Sequence, residues 1–505
     1  MTQKRTSPDR RAAAPVGLAP PVRVVLISLD SHLSGAIESA RRSLRKAAPS
    51  VDLAFHAAAD WARDPASLAA CKADIARGDI ILASMLFMDD HIRAVLPDLE
   101  ARRDECDAMV GALSAAEVVK LTRLGGFRMD KPASGPIALL KRLRGKSANG
   151  SSGAGQMKML RQVPKFLKFI PGTAQDVRAY FLTLQYWLAG SEENIANLVL
   201  NLVDRYAAGP RAVLKGTLAP AAPKDYPDTG VYHPALKGLI AEEAKALPKP
   251  NRGGATVGLL VMRSYLLSRD AAHYDGVIAA LEAKGLNVIP AFASGLDQRP
   301  AIEKFFMANG RANVDAVVSL TGFSLVGGPA YNDTGAAQEM LARLDVPYIA
   351  AHALEFQNLP EWAEGQTGLS PVETTIMVAI PELDGATQPT VFGGRVGAGA
   401  DCKGCARACH FPATEGGSAM RVCPERAETL AARVARLALL RRAERAERKI
   451  GVVLFNFPPN AGAAGSAAFL AVFESLWNTL AAMKREGYTV DLPESVDALR
   501  DSILK

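Results

Sequence analysis

The sequence predicts an α/β protein: several doubly wound, Rossmann-like parallel-sheet units with helical insertions, spread over more than one domain. Two observations predict it. Short apolar, β-branched runs recur along the chain, among them VRVVLISL at Val22–Leu29, VGLLVM at Val257–Met262 and KIGVVLF at Lys449–Phe455. Helical patterns alternate with these runs, and a strand that is apolar on both faces is covered on both faces by the helices of a parallel sheet. The 505 residues, 49% of them hydrophobic, suffice for several cores, roughly three domains on length alone.

Residues 1–21 read as a disordered tail of Ala, Pro and basic residues, without the apolar centre of a secretory signal. Val22–Leu29, Val51–Phe55 and Asp79–Met85 read as strands, with a helix over Ser34–Lys46, so the opening stretch is a βαβ unit. Met109–Leu124 continues helically. Lys131–Gln156, rich in Pro, Gly, Ser, Lys and Arg, reads as an exposed linker. Ala174–Tyr206 is strongly helical, with Ser191 and Glu193 in a helix-start context. A boundary is expected between an N-terminal α/β domain over 22–185 and a second region over 186–448.

The second region contains an α/β unit over 256–400. Its strands are Val257–Met262, Leu286–Ala291, Val314–Leu320 and Pro347–Ala350, and its helix Ala272–Lys284 stops at Gly285. A cysteine-rich segment follows over 401–424. Residues 449–505 open with KIGVVLF, reach a helix at Ala468–Lys484, and read as the truncated start of a further α/β unit.

Lys and Arg number 59 against 52 Asp and Glu, a net charge of +7. The excess gathers at Arg41–Lys46, Lys141–Lys146 and Arg433–Lys449. These runs read as solvated helix faces, and no nucleic-acid partner is expected. No uninterrupted apolar stretch reaches the ~18 residues of a membrane span. Six cysteines are too sparse for a secreted disulfide scaffold. The chain reads as cytoplasmic, with any membrane contact peripheral.

Four of the six cysteines, Cys402, Cys405, Cys409 and Cys423, fall as C-x₂-C-x₃-C-x₁₃-C-P. Such spacing gathers thiolates around one centre, and a proline after the last cysteine recurs in iron–sulfur ligation. Zinc accepts four thiolates equally well, and unliganded cysteines remain open too. His410 adjoins the third cysteine as a candidate substitute ligand, though a bystander role suits it better. Two glycine-rich turns, Thr321–Pro329 and Asn456–Ser466, follow strands, where ligands of open α/β sheets bind. Neither ends in Gly-Lys-Ser/Thr and neither has Gly-x-Gly-x-x-Gly spacing, so nucleotide binding is rejected; tight turns that only pack remain the plain alternative. His32, His233, His273 and His352 each read first as a satisfied core or surface histidine. No Ser-His-Asp set follows from order alone.

At several stretches the sequence is similar to a known family. Met159–Tyr206, YPDTGVYHP (Tyr226–Pro234), Val257–Asp297, SLTGFSLVGGPAYND (Ser319–Asp333), GLSPVETTIMVAIPELDG (Gly368–Gly385) and Val452–Leu480, with its PNAGAAG turn, resemble the large (H) subunits of magnesium chelatases, which share a superfamily with CobN-type cobaltochelatases. The long N-terminal region favours the magnesium branch, and the cysteine set resembles its bacterial, bacteriochlorophyll-type members.

The resemblance implies a protein that binds protoporphyrin IX and hosts ATP-dependent insertion of Mg²⁺, the metal being substrate. ATP is then hydrolysed by an AAA+ partner subunit working with a second small subunit. The family's large subunits are far longer, so the resemblance also implies an N-terminal part, inactive alone: either a fragment of a split or truncated gene, or a chain whose missing portion, carrying the catalytic bases, comes from a separate C-terminal polypeptide. A non-catalytic porphyrin carrier or sensor, and a cobaltochelatase-like subunit acting on a corrinoid precursor, are the alternatives.

Overall fold

The computed structural model describes residues 20–504 except 30–32, 62–63, 131–152, 250, 252, 329–330, 398, 413–418 and 456–469. The opening run forms β1 (Val22–Ser28), flanked in parallel by β2 (Val51–Ala57) and β3 (Ile80–Ser84), and β3 pairs in parallel with β4 (Ala108–Ala112). A short antiparallel hairpin, β5 (Arg123–Leu124) and β6 (Phe127–Arg128), closes the order β2-β1-β3-β4-β5-β6. β1 and β3 are buried along nearly their whole length because helices cover both faces. At the edge, Val51 and Leu53 point inward while Asp52 is exposed. Helix Ser34–Ala47 buries Ala36, Ile37, Ala40 and Leu44, one stripe at three- and four-residue spacing. Burying a side chain such as Ile37 or Leu44 contributes about 1.5–3 kcal/mol.

The helical stretch over Ala174–Tyr206 is two helices, and the second begins at the helix start expected around Ser191. Gly190, at φ 57, ends helix Thr173–Ala189 in the left-handed conformation that glycine adopts without strain. Ser191 then caps helix Glu192–Tyr206, its side chain accepting the Asn194 amide. Loss of such a cap costs about 1 kcal/mol. Both helices join the first sheet in one core that includes Val24, Leu26, Val110, Tyr180, Trp187, Leu198 and Leu202, so packing runs through position 185.

Two expectations here need correction. Met109–Leu124 is not a helix but β4, a short helix at Ala116–Lys120, and β5. Met and Ala favour helix locally, yet β4 is buried at every position, and pairing with β3 outweighs propensity. The last residues of the expected linker Lys131–Gln156 belong to helix Gly153–Leu167, while 131–152 lie outside the described residues, as does the tail up to residue 19.

The second sheet has eight strands. β7 (Thr229–Tyr232), β8 (Ile240–Ala241), β9 (Thr256–Leu260), β10 (Asn287–Ala293), β11 (Ala316–Ser319), β12 (Tyr348–Asn358), β13 (Thr387–Val396) and β14 (Ala419–Val422) stand in the order β14-β13-β12-β11-β9-β10-β7-β8. The five central strands are parallel, and antiparallel strands finish both edges. The expected strand Pro347–Ala350 continues to Asn358. β13 carries Pro389, Gly393 and Gly394, a composition that hides a strand in the sequence. Gly393 and Gly394 admit the Arg421 and Leu354 backbones at distances a Cβ would block.

Residues 1–431 and 432–505 form two compact units. In the second, helices Val472–Arg485 and Val496–Leu504 pack together, Trp477 donates to the Pro493 carbonyl at 2.8 Å, and Thr489 donates to the Ala446 carbonyl at 2.8 Å. The strand expected at Lys449–Phe455 is not formed. No described strand pairs with it, and Val453 is 96% exposed. An extended apolar run without a ladder partner or a covering helix gains neither hydrogen bonds nor burial.

Candidate functional site

The cysteine segment forms a small antiparallel hairpin in which Asp401–Cys402 pairs with Cys409–His410, so Cys402 and Cys409 face each other across it. Cys405 lies in the connecting turn. Cys423 directly precedes helix Pro424–Arg442, and the Arg426 amide donates to its sulfur. The hairpin is tied down by the Lys403 amide on the Glu364 carboxylate at 2.8 Å, and by Gly404 packing on Ala363. Cys402 is buried beside Leu354, Leu359 and Phe411, with Cys409 and Cys423 half-buried against the same cluster.

Burial pushes the Cys409 thiol up, and the neighbouring Cys405 and Cys402 push it further. Burial also raises the Cys423 thiol, opposed by the Arg426 amide. Thiols that raise one another's pKa stay protonated unless a cation replaces the protons. In kind, an all-sulfur donor set fits an iron–sulfur or zinc centre. In arrangement, no three metal-ligating side chains converge among the described residues. His410 bonds through Nδ1 to Asp401 at 2.7 Å on the exposed side of the hairpin, which suits a bystander.

A second feature follows from strand order. The chain passes from β9 to β10 on one side, then crosses to β11 on the other. The carboxyl ends of β9 and β11 therefore part, and open α/β sheets take ligands at such a reversal. A cavity of about 10 Å³, roughly one water, lies there, lined by Tyr265, His273, Thr321, Gly322, Glu355 and Met377 among others. The Tyr265 hydroxyl donates to the Glu355 carboxylate. His273 is buried between rings, its centroid 3.8 Å from Tyr274 and 5.8 Å from Phe392, and its Nδ1 has no hydrogen-bond partner. Burial, helped by Arg395, drives the His273 pKa down to about 3.

Of the glycine-rich turn expected at Thr321–Pro329, whose last residue lies outside the described residues, Thr321, Gly322 and Phe323 line this crevice, and positive φ at Gly322 (73°) lets the chain bend there. Asp384 anchors the turn, accepting from Ser324 Oγ at 2.7 Å and the Leu325 amide at 2.8 Å. A π-helical segment, Thr374–Ala379, brings Met377 to the crevice, a distortion often found at functional sites. Just before it, the buried Glu373 accepts from the Ser370 amide at 3.0 Å and from Gln357 at 2.5 Å. His352 on β12 is 1% exposed, neither ring nitrogen has a partner, and burial lowers its pKa to about 4. The neutral His273 ring, 5.1 Å from the Tyr265 ring, can take part in a hydrogen bond with a small polar group, but burial keeps it from holding a proton near neutral pH.

Of the other histidines considered, His233 is satisfied by Glu282 at 3.2 Å and by the Ala235 amide at 3.1 Å. His32 and the turn Asn456–Ser466 lie outside the described residues. Sequence reasoning did not bring Tyr265, His273 and Glu355 together, because only the crossing of strand order makes them neighbours.

Residues 184–505 match a family model described as CobN/Magnesium Chelatase, and residues 23–181 match a domain of unknown function (DUF3479). The chain is 53% identical to the large (H) subunit of the magnesium chelatase of Cereibacter sphaeroides, over 97% of its own length and 41% of that protein. It is equally 53% identical to the corresponding magnesium-chelatase protein of Rhodobacter capsulatus, over 95% of itself and 40% of the relative. The aerobic cobaltochelatase protein CobN of Pseudomonas aeruginosa is 29% identical over 54% of this chain and 20% of its own. The catalytic subunit of cobaltochelatase from Mycobacterium tuberculosis superposes with a TM-score of 0.52 at 19% identity, covering 96% of this chain and 33% of that one, a likeness of fold. The chain thus spans about two-fifths of the magnesium-chelatase proteins it matches, and its match to the family model over 184–505 establishes that it belongs to the CobN/magnesium chelatase family.

Proposed function

We propose that this chain is the N-terminal, porphyrin-handling part of a magnesium chelatase large subunit, acting in (bacterio)chlorophyll biosynthesis. The carrying observation is the contrast between 53% identity over 97% of the chain to the magnesium-chelatase relative and 29% over 54% to the cobaltochelatase one. The macrocycle is protoporphyrin IX and Mg²⁺ is the metal substrate. ATP is hydrolysed by an AAA+ partner, with a second small subunit and a polypeptide supplying the remainder of the relatives' length. The functional division is 22–185, 186–448 and 449–505, and the location is cytoplasmic, with peripheral membrane contact.

Inserting Mg²⁺ requires an apolar site for a flat ring, bases for two pyrrole protons, and release of tightly held water from the metal. The reversal-point crevice contributes the Tyr265–Glu355 pair and the buried, neutral His273 to that chemistry. At about 10 Å³ it is too small for the ring itself and has room for one water or a small polar group.

Titration with protoporphyrin IX is expected to quench the fluorescence of the four tryptophans saturably. A folded chain showing no saturable quenching overturns porphyrin binding, and tighter binding of a corrinoid precursor favours the cobaltochelatase reading. With both small subunits, ATP and Mg²⁺, the chain alone is expected to form no Mg-porphyrin. Product without a further polypeptide overturns the need for one.

Cys402, Cys405, Cys409 and Cys423 are proposed as ligands of an iron–sulfur cluster with a structural or redox-sensing role. Their support is the facing pair Cys402 and Cys409 and the placement of Cys423 at a helix start. Anaerobic purification is expected to give a brown protein, bleached with complete loss of iron in the Cys405→Ser, Cys409→Ser double variant, while porphyrin quenching persists. Stoichiometric zinc without iron replaces the cluster with a structural zinc site. Absence of both metals overturns either assignment.

A further inference from the structure

Helices Gly153–Leu167 and Thr173–Ala189 are joined by a turn whose sequence, from Lys165, reads KFLKFIPG. The first helix turns Val163 and Leu167 into the core, and Phe166 falls outside that stripe, 73% exposed. Phe169 is 83% exposed and Ile170 42%. Single exposed apolar residues are ordinary; three large ones in a single turn are not.

The turn is held open by its own hydrogen bonds. The Gln175 side-chain amide reaches the carbonyls of Leu167 at 2.7 Å, Lys168 at 3.2 Å and Ile170 at 2.6 Å, and the Ile170 amide donates to Leu167 at 3.2 Å. Tucking the phenyl rings away would break this set, so the chain presents them in a fixed frame. Lys165 and Lys168 are exposed beside them, with no carboxylate partner among the described residues. Lys168 lies 5.9 Å from the Phe169 ring centre. No described helix is long and apolar enough to cross a membrane.

We propose that Lys165–Gly172 is a membrane-interface contact that seats Phe166, Phe169 and Ile170 at the acyl boundary of an anionic phospholipid surface, while Lys165 and Lys168 meet the headgroup phosphates. Rings flanked by unpaired ammonium groups match that interface, where an apolar body sinks and a long cationic side chain reaches back to the phosphates. A protein partner would need an acidic rim around an apolar pocket; a bilayer rich in anionic lipid offers both features everywhere on its surface. The inference deepens the peripheral location proposed above and does not depend on porphyrin binding or metal insertion.

The test is co-sedimentation of the full chain with phosphatidylglycerol/phosphatidylethanolamine vesicles and with phosphatidylcholine vesicles. The chain is expected to pellet with the anionic vesicles and only weakly with the neutral ones. Phe166→Ser with Phe169→Ser should weaken binding by about tenfold or more. Lys165→Glu with Lys168→Glu should weaken it about tenfold and remove its salt dependence. All four residues are exposed, so both variants should keep the wild-type circular dichroism and melting temperature. Absence of vesicle binding by the wild type, or equal binding by both folded variants, overturns the proposal. Loss of a concentration-dependent dimer in the phenylalanine variant, with no vesicle binding by the wild type, assigns the surface to a second copy instead. Porphyrin quenching is measured on the same samples, so failure here is separable from failure of the chelatase reading.

Discussion

Gly111→Ala is expected to destabilise this protein by about 3 kcal/mol, which in the compact unit 1–431 lowers the melting temperature by about 3 °C. Gly111 lies in β4, beside β3 and against the helix Ala116–Lys120. A methyl group there would overlap the Val118 carbonyl oxygen, 2.7 Å from its carbonyl carbon and 3.0 Å from the Val119 Cα. These are backbone atoms, so no side-chain rotation relieves the overlap; the helix must move. It is also fixed from the other side, because Thr122 Oγ1 bonds both the Gly111 amide at 3.0 Å and its carbonyl at 3.1 Å. Gly295→Ala is the control, with nothing within 4 Å of the added atom, and should melt within a degree of wild type. Equal melting temperatures for the two variants would falsify the account of β4 packing.

Gly111 also illustrates what the sequence did and did not disclose. VRVVLIS could be read as a buried strand because its burial is continuous and its residues are β-branched. AMVGA could not: Ala and Met carry no strand preference, and the glycine serves a contact with residues a short helix away. β13 was hidden in the same manner, its Gly393 and Gly394 being set by Arg421 and Leu354 rather than by local preference. KIGVVLF erred in the opposite sense. Its local preference is strongly β, but no described strand lies beside it to complete a ladder.

The candidate site divides similarly. Metal-ligand spacing is a local code, so the cysteines stand out in the sequence; the hairpin Asp401–His410 pairs Cys402 with Cys409, but no three ligating side chains converge among the described residues. The crevice was legible only in part. The turn at Thr321 announced itself by its glycines, but Tyr265, His273 and Glu355 come from three separated stretches, joined where β9 and β11 diverge. Read singly, His273 and His352 had every mark of satisfied core histidines. The unpartnered nitrogens on both are a property of the packed molecule.

Those two histidines should make the protein acid-sensitive between pH 6.5 and about 4. In the unfolded chain an imidazole titrates near 6.5; in the fold, burial holds His352 at about 4 and His273 at about 3. Above pH 6.5 both states are neutral and the full stability is present. As pH falls below 6.5 the unfolded chain takes up protons that the fold refuses, so stability declines by up to about 1.4 kcal/mol per pH unit for each histidine, until the folded pKa is reached. His56 and His91, also lowered chiefly by burial, add to the same slope. Urea unfolding at pH 7.5, 6 and 5 measures it. Carboxylates titrate at the low end too, so the informative quantity is the difference between wild type and His352→Leu. That variant should flatten the slope by about 1.4 kcal/mol per unit and, because it removes a buried imidazole without partners, raise stability at pH 7.5 by about 1 kcal/mol. An unchanged slope would show that His352 reaches solvent or a proton donor in the fold. Whether His352 also serves the ligand is read on the same variant: a role in porphyrin binding requires weaker protoporphyrin IX binding or an altered pH dependence of quenching. A more stable protein with wild-type quenching at every pH would show that His352 has no part in porphyrin binding.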